Sequence, residues 1–207
     1  MSRVLVLSPH PDDEAIGCGG TIRTHVLDGD EVRVVFLTSG ERGCPGRDPA
    51  ETARTREAEA EAAAVVLGVA DLAFWRLPDS ALRATRAPVD RLRTLVRDWR
   101  PDVLYVPHPG EQHPDHRAAA RLVRHALDGA LAPIVRLYEV WTPLGGMDAV
   151  VDISAHVKAK TAAIRAYASQ CAIMRFDEAA LALNRYRGEM HSWPGGDYAE
   201  VFREWRP

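Results

Sequence analysis

Short apolar, β-branched runs recur along the chain at Arg3 to Leu7 (RVLVL), Val32 to Thr38 (VRVVFLT), Leu72 to Leu77, Val103 to Val106, Ile134 to Val140 and Val150 to Ile153. Runs of this kind mark strands buried on both faces of a sheet. Between them lie stretches of helical length: Glu14 to Leu27 with Gly29 just beyond it, Glu51 to Leu67 stopped by Gly68, and Val89 to Trp99 stopped before Pro101. Further helices are expected from about Asp115 to Leu127, His156 to Ala168 and Glu178 to Tyr186. Strands alternating with helices at this spacing imply right-handed crossovers and a parallel sheet. The expectation is an α/β fold, a Rossmann-like three-layer sandwich with a mostly parallel sheet. In such sheets ligands bind beyond the carboxyl ends of the strands, so chemistry is to be sought just after Leu7, Leu37, Leu77 and Val106.

At 207 residues the chain suits one α/β domain, and residues 1–207 are read as a single unit. With 46% hydrophobic and 27% charged residues it can bury a core, which sets disorder and low complexity aside. No apolar run approaches a membrane span, and the N-terminus has no signal-peptide pattern, so a cytoplasmic protein without a membrane partner is expected. The net charge of −3, with basic residues scattered, disfavours nucleic acid as a partner. A homo-oligomer is compatible with the sequence, which carries no readable code for it. Cys18, Cys44 and Cys171 are odd in number and form no C-x-x-C pair, so a bound metal would have to be held by histidine and carboxylate.

The first strand is followed by Ser8-Pro9-His10-Pro11-Asp12-Asp13-Glu14, one imidazole and three carboxylates within five residues. Burying that much charge without a cation is costly. The Val103 to Val106 strand is followed by His108-Pro109-Gly110-Glu111-Gln112-His113-Pro114-Asp115-His116, which repeats the His-Pro-Asp prefix. His10 with Asp13, and His113 with His116, are spaced i and i+3, and a proline at a helix start turns both members of each pair toward one side. These residue types suit a catalytic Zn2+ site, which takes three N/O ligands and keeps a place for water. Spacing alone does not choose between His113 and His116. Asp12 lies off the ligand spacing and is left to accept a proton from the attacking water. Against this, an aspartate pair after a strand can simply cap the next helix. Gly17-Cys18-Gly19-Gly20 lacks the spacing of a phosphate-binding turn and reads as close helix-to-sheet packing.

The chain resembles the PIG-L or LmbE-like N-acetylglucosaminyl deacetylase family over nearly its whole length. The resemblance is carried by Pro9-His10-Pro11-Asp12-Asp13-Glu14 with Gly17 and Gly19-Gly20, and by His113-Pro114-Asp115-His116. Thr38-x-Gly40-Glu41, the run from Arg56 to Gly68, Leu77-Pro78-Asp79, the Lys160 to Gln170 segment and Tyr198-Ala199-Glu200-x-Phe202 also match. The resemblance implies His10, Asp13 and His116 as zinc ligands, Asp12 as general base, and His113 as the group that stabilises the oxyanion or protonates the leaving amine. It places Asp115 behind a histidine ring as a hydrogen-bond acceptor, and Arg56 and Asp79 against a small-molecule amino-sugar substrate. Arg56 could instead be a surface charge paired with Glu59, and Asp79 a turn residue after Pro78. Some members carry a tyrosine where this chain has Glu111. His108 and His191 stay open, while His25, His125 and His156 read as surface or packing residues. The activity implied is hydrolysis of the acetamide of an N-acetylglucosamine-type sugar. Rival readings are an amidase of a thiol conjugate or specialised metabolite, a nucleotide-binding module, and a non-catalytic metal-binding signalling domain. The signalling domain leaves the second histidine quartet unexplained, and the nucleotide module lacks its phosphate turn.

Overall fold

The computed structural model describes residues 1–127, 133–191 and 196–205. The β-branched runs become strands β1 (Arg3–Ser8), β2 (Glu31–Thr38), β3 (Asp71–Leu77), β4 (Val103–Pro107), β5 (Ile134–Tyr138) and β6 (Ala149–Asp152). Helices α1 (Asp13–Leu27), α2 (Pro49–Leu67), α3 (Arg86–Trp99) and α4 (Pro114–Ala126) link the first five strands. After β6 come α5 (Val157–Ala166), the single turn α6 (Ala168–Cys171) and α7 (Phe176–His191). Strand β7 (Ala199–Trp205) closes the order.

The sheet runs β3-β2-β1-β4-β5-β7-β6. Its first five strands are parallel, while β7 lies antiparallel to both β5 and β6. The mostly parallel sheet is as expected; β7 is an addition. Its sequence, AEVFREW, mixes charges with apolar residues because only part of it is covered, and no clean alternation results. The expected single helix from His156 to Ala168 is split at Tyr167, and α7 extends further than expected at both ends.

Two apolar clusters lie on opposite faces of the sheet. One joins Val4, Val6, Val34 and Phe36 to α1, α2 and α5 through Ile22, Ala63, Leu67 and Ile164. The other joins Leu5, Leu7, Val35 and Leu104 to α3 and α4 through Leu92, Val96, Ala119 and Leu122. Alternate residues of each parallel strand thus feed opposite cores, which is why those strands read as unbroken apolar runs. Among the described residues no helix is long and apolar enough to cross a membrane.

Helix α1 must pass close to the sheet to bring its first turn to the end of β1. A Cβ at Gly17 would run into the Tyr138 ring and come within 2.8 Å of the Glu139 carbonyl oxygen. The helix kinks at Cys18. The kink is held by Glu200 of β7, whose carboxylate accepts from Gly20 N (2.9 Å) and Thr21 N (2.7 Å). Lys160, fully buried, donates to Glu200 at 2.6 Å and to the Ile16 carbonyl at 2.7 Å. One buried ion pair therefore ties α5, β7 and the helix carrying the carboxylate motif. Lys160→Met leaves Glu200 buried and unpaired, so an expected loss of about 3–5 kcal/mol follows, measurable by denaturant unfolding. Glu200→Gln added to that background is expected to recover part of it.

Candidate active site

The strand order reverses between β1 and β4, and the crevice beyond their carboxyl ends is where open α/β sheets take ligands. The loops after β1, β2, β3 and β4 bring His10, Asp12 and Asp13, then Arg42 and Gly43, then Asp79 and Ser80, and then His113 to one cleft of about 200 Å³. Only the meeting of strands distant in sequence, β1 with β4, places the two histidine quartets together.

Asp13 is the hub. Its Oδ2 accepts from His10 N at 2.9 Å and lies 3.2 Å from both His10 Nδ1 and His116 Nε2. His116 is fully buried, and neither of its ring nitrogens has a hydrogen-bond partner among the described residues, because the approaches to Asp13 and to Glu111 (3.5 Å) are poorly directed. A buried imidazole without hydrogen bonds, facing a carboxylate oxygen that a second imidazole also faces, is what a cation between them would explain. Among the described residues, two other groups have ligand atoms all within 4.8 Å of one another, His10 with His113 and His116, and His10 with Asp79 and Asp115; Asp13 belongs to neither. We favour the set built on Asp13 because its carboxylate touches both rings.

The charge balance points the same way. Burial opposes ionisation of Asp13, but His116 and His10 outweigh it and hold the carboxyl well below the usual carboxylate range. Burial alone would make His116 less basic, yet Asp13 raises it to about 9. Without a metal the cluster keeps protons on its rings; a divalent cation would take their place.

The other faces of the rings are also held. His10 Nε2 lies 3.2 Å from Asp79 Oδ1 and 3.3 Å from Asp115 Oδ2. Asp115 in turn accepts from Ser80 N (2.7 Å) and Leu82 N (3.1 Å), locking the loop after β3 to the cluster. Carboxylates behind a ligating imidazole fix its tautomer and orientation. Asp115 therefore buttresses His10 from the other quartet, and Asp79 also touches His10, a role that neither the expected substrate contact nor the turn alternative describes.

Glu111 is the site residue that sequence reasoning missed. It is buried and accepts from the main-chain nitrogens of Val140 (2.7 Å), Trp141 and Thr142, and its Oε2 faces His116 Nδ1. Burial opposes its ionisation, but His116 and these donors keep its pKa low. It orients His116 and pins the loop bearing Trp141. The only signal for it was the departure from the tyrosine of the family pattern.

Asp12 begins α1 without capping it: its side chain bonds no main-chain N–H of the helix, so the alternative of a simple cap does not describe this structure. Its φ of 135° is strained for a residue with a Cβ and aims the carboxylate into the cleft. Burial pushes its pKa up to about 7, with Arg56 opposing. Arg56 is buried on α2, not a surface charge; Glu59 instead binds Ser169 N and Oγ, each at 2.7 Å. The guanidinium donates to the carbonyls of Pro11 (2.6 Å) and Gly40 (3.1 Å) and to Asp12 Oδ2 (3.1 Å), leaving Nε as its unpartnered donor. Gly40 has φ of +62°, and a Cβ there would press into the guanidinium, so glycine lets the loop close over Arg56. Arg56 thus lines the cleft but spends most of its donors on Asp12 and the loops.

His113 caps α4, its Nδ1 accepting from Asp115 N at 3.2 Å, which leaves the ring proton on Nε2. Burial and the neighbouring rings of His10 and His116 lower its pKa, keeping it neutral. It lines the cleft with Trp141, Ile173 and Met174, all substantially exposed. His108 Nε2 donates to the Thr142 carbonyl (2.7 Å), and His191 is exposed at the end of α7; neither lines the cleft.

Comparison with known proteins adds four findings. The profile of the family described as PIG-L: GlcNAc-PI de-N-acetylase matches residues 5–127. A diacetylchitobiose deacetylase of Thermococcus kodakarensis is 31% identical over 191 residues, spanning 82% of this chain and 70% of that protein. Among solved structures, the N,N'-diacetylchitobiose deacetylase of Pyrococcus horikoshii superposes with a TM-score of 0.86 at 27% identity, over 99% of this chain and 84% of that one. GalB, the 4-carboxy-2-hydroxymuconate hydratase of Pseudomonas putida KT2440, does so with a TM-score of 0.88 at 26% identity, over 100% and 97%.

Proposed function

Because this chain belongs to the PIG-L, GlcNAc-PI de-N-acetylase family, we propose that it is a zinc-dependent amide hydrolase that releases acetate from an N-acetylglucosamine-type sugar or glycoside. The observation that carries this reading is the Asp13 carboxylate shared between His10 and His116 at the switch point of the sheet, with Asp12 beside it. His10, Asp13 and His116 would hold the metal, which when bound polarises the amide carbonyl and acidifies water.

The remaining steps belong to the side chains. Asp12 takes the proton of the attacking water, its carboxylate held by Arg56. His113, neutral with its proton on Nε2, donates a hydrogen bond to the carbonyl oxygen as negative charge develops there, and Asp12 passes the proton it has taken to the departing amine. Asp79 and Asp115 keep His10 in register, and Glu111 does the same for His116. Arg42, Ser80 and Gln170 offer hydroxyl partners at the cleft mouth.

The likeness to a hydratase favours a second reading, addition of water to an unsaturated polycarboxylate. That substrate would need several free cations, whereas the cleft offers Arg42 and an Arg56 already committed to Asp12. The test is the zinc-reconstituted protein assayed for amine release from N-acetylglucosamine, diacetylchitobiose and simple acetamides, beside hydration of 4-carboxy-2-hydroxymuconate. Amine release from the sugars, at least tenfold above simple acetamides in kcat/KM, is the expected result. Hydration without amine release would reverse the assignment.

A further inference from the structure

Behind the cleft lies a second cavity, of about 240 Å³, that the reaction above leaves unused. The two adjoin along Ile16, Trp141 and Phe176, which line both, the two aromatic rings meeting edge-on with centroids 6.0 Å apart. Farther in, the lining is apolar, with Leu183 and Val201, apart from three polar residues. Two of those are already engaged: Glu139 with Arg187, and Glu200 with Lys160. The third is Asn184, 5% exposed, whose Nδ2 donates to the Ala199 carbonyl at 2.9 Å while its Oδ1 has no partner among the described residues. A buried acceptor left unpaired in an apolar chamber is costly and calls for a donor.

An amide held at the cluster has two arms. The hydroxyl-bearing sugar is matched by Arg42, Ser80 and Gln170 of the cleft; the apolar chamber has nothing comparable to offer it. We propose that the chamber is an acyl pocket, and that the enzyme hydrolyses N-acyl amino sugars whose acyl chain is longer than acetyl and carries a hydroxyl that donates to Asn184 Oδ1. This rests on the amide-hydrolase reading and deepens it. Water supplies oxygen to the acyl carbon, the C–N bond breaks and the nitrogen gains a proton, so that a hydroxy acid and a free amino sugar leave.

The experiment compares N-acetyl-, N-butyryl- and N-(3-hydroxybutyryl)glucosamine with the zinc-reconstituted chain, following released glucosamine. The butyryl compound is expected to match or exceed the acetyl one in kcat/KM, and the hydroxybutyryl compound to exceed the butyryl one by about tenfold, because sites that bond a substrate hydroxyl discriminate against its absence. Asn184→Leu is expected to erase the hydroxyl preference. Ala179→Trp, at an exposed helix position on the pocket rim, tests the chamber without burying new volume in the core; it is expected to lower the ratio of long-chain to acetyl kcat/KM at least tenfold. Acetyl hydrolysis with both longer chains rejected, or a ratio unmoved by Ala179→Trp, overturns the acyl pocket while leaving the deacetylase standing. No turnover of any of the three overturns the amide-hydrolase reading and the pocket with it.

Discussion

Asp13→Ala is expected to leave a folded protein that neither retains zinc nor releases amine, with turnover lowered by more than the roughly 10²–10⁴-fold typical of a lost acid–base group. Among the described residues the carboxylate alone contacts both His10 Nδ1 and His116 Nε2, so its loss would remove the proposed ligand and leave two buried imidazoles without their common counter-charge. Asp115→Asn is the informative companion. Asp115 stands behind His10 at 3.3 Å, and loss of such an outer partner typically costs only about 10–100-fold in metal affinity or activity. Zinc content by elemental analysis, with circular dichroism to verify folding, orders the two. Metal lost in Asp115→Asn and kept in Asp13→Ala would move the ion to the His10, Asp79 and Asp115 group instead.

That ordering was half legible in the sequence. The paired quartets, each after a strand of apolar β-branched residues, announced both the sheet and the cluster, because several carboxylates and imidazoles buried together are costly unless a metal or protons balance their charge. The i, i+3 spacing could not say which ring faces which carboxylate, since that depends on how the ends of β1, β3 and β4 are stacked side by side. Asp115, expected behind a histidine ring, therefore stands behind the one in the other quartet, Asp79 reached His10 unannounced, and Glu111 bound main-chain nitrogens of residues 140–142, which no local pattern connects to it. Strand β7 was hidden for a related reason: Glu200 faces inward to bind Lys160 and the kink of α1, so a charge stands where an apolar residue would have revealed the alternation. In each case a polar group buried by a distant partner broke the local rule.

Arg56 shows how such a partner redirects a functional expectation, and it sets up the second large effect. Asp12→Asn is expected to keep its zinc and lose about 10²–10⁴-fold in kcat, since asparagine preserves shape and the contact to the cleft but cannot take a proton. The strained backbone at Asp12 and the absence of any capping bond mean that the side chain is held for the cleft and not for helix α1, so stability should change little by comparison. Arg56→Gln removes the cation 3.1 Å from that carboxylate, and with it the force opposing the upward push of burial. The base must be ionised to act, so activity falls as pH drops through its pKa, and losing Arg56 should move this acid limb to higher pH. A smaller loss in kcat than in Asp12→Asn, with KM for the sugar nearly unchanged, is the pattern of a residue that acts through Asp12. A rise in KM with the acid limb unmoved would instead give Arg56 to the sugar hydroxyls, through the Nε donor that the protein leaves free. Near-normal turnover in zinc-loaded Asp12→Asn would remove Asp12 as the base altogether.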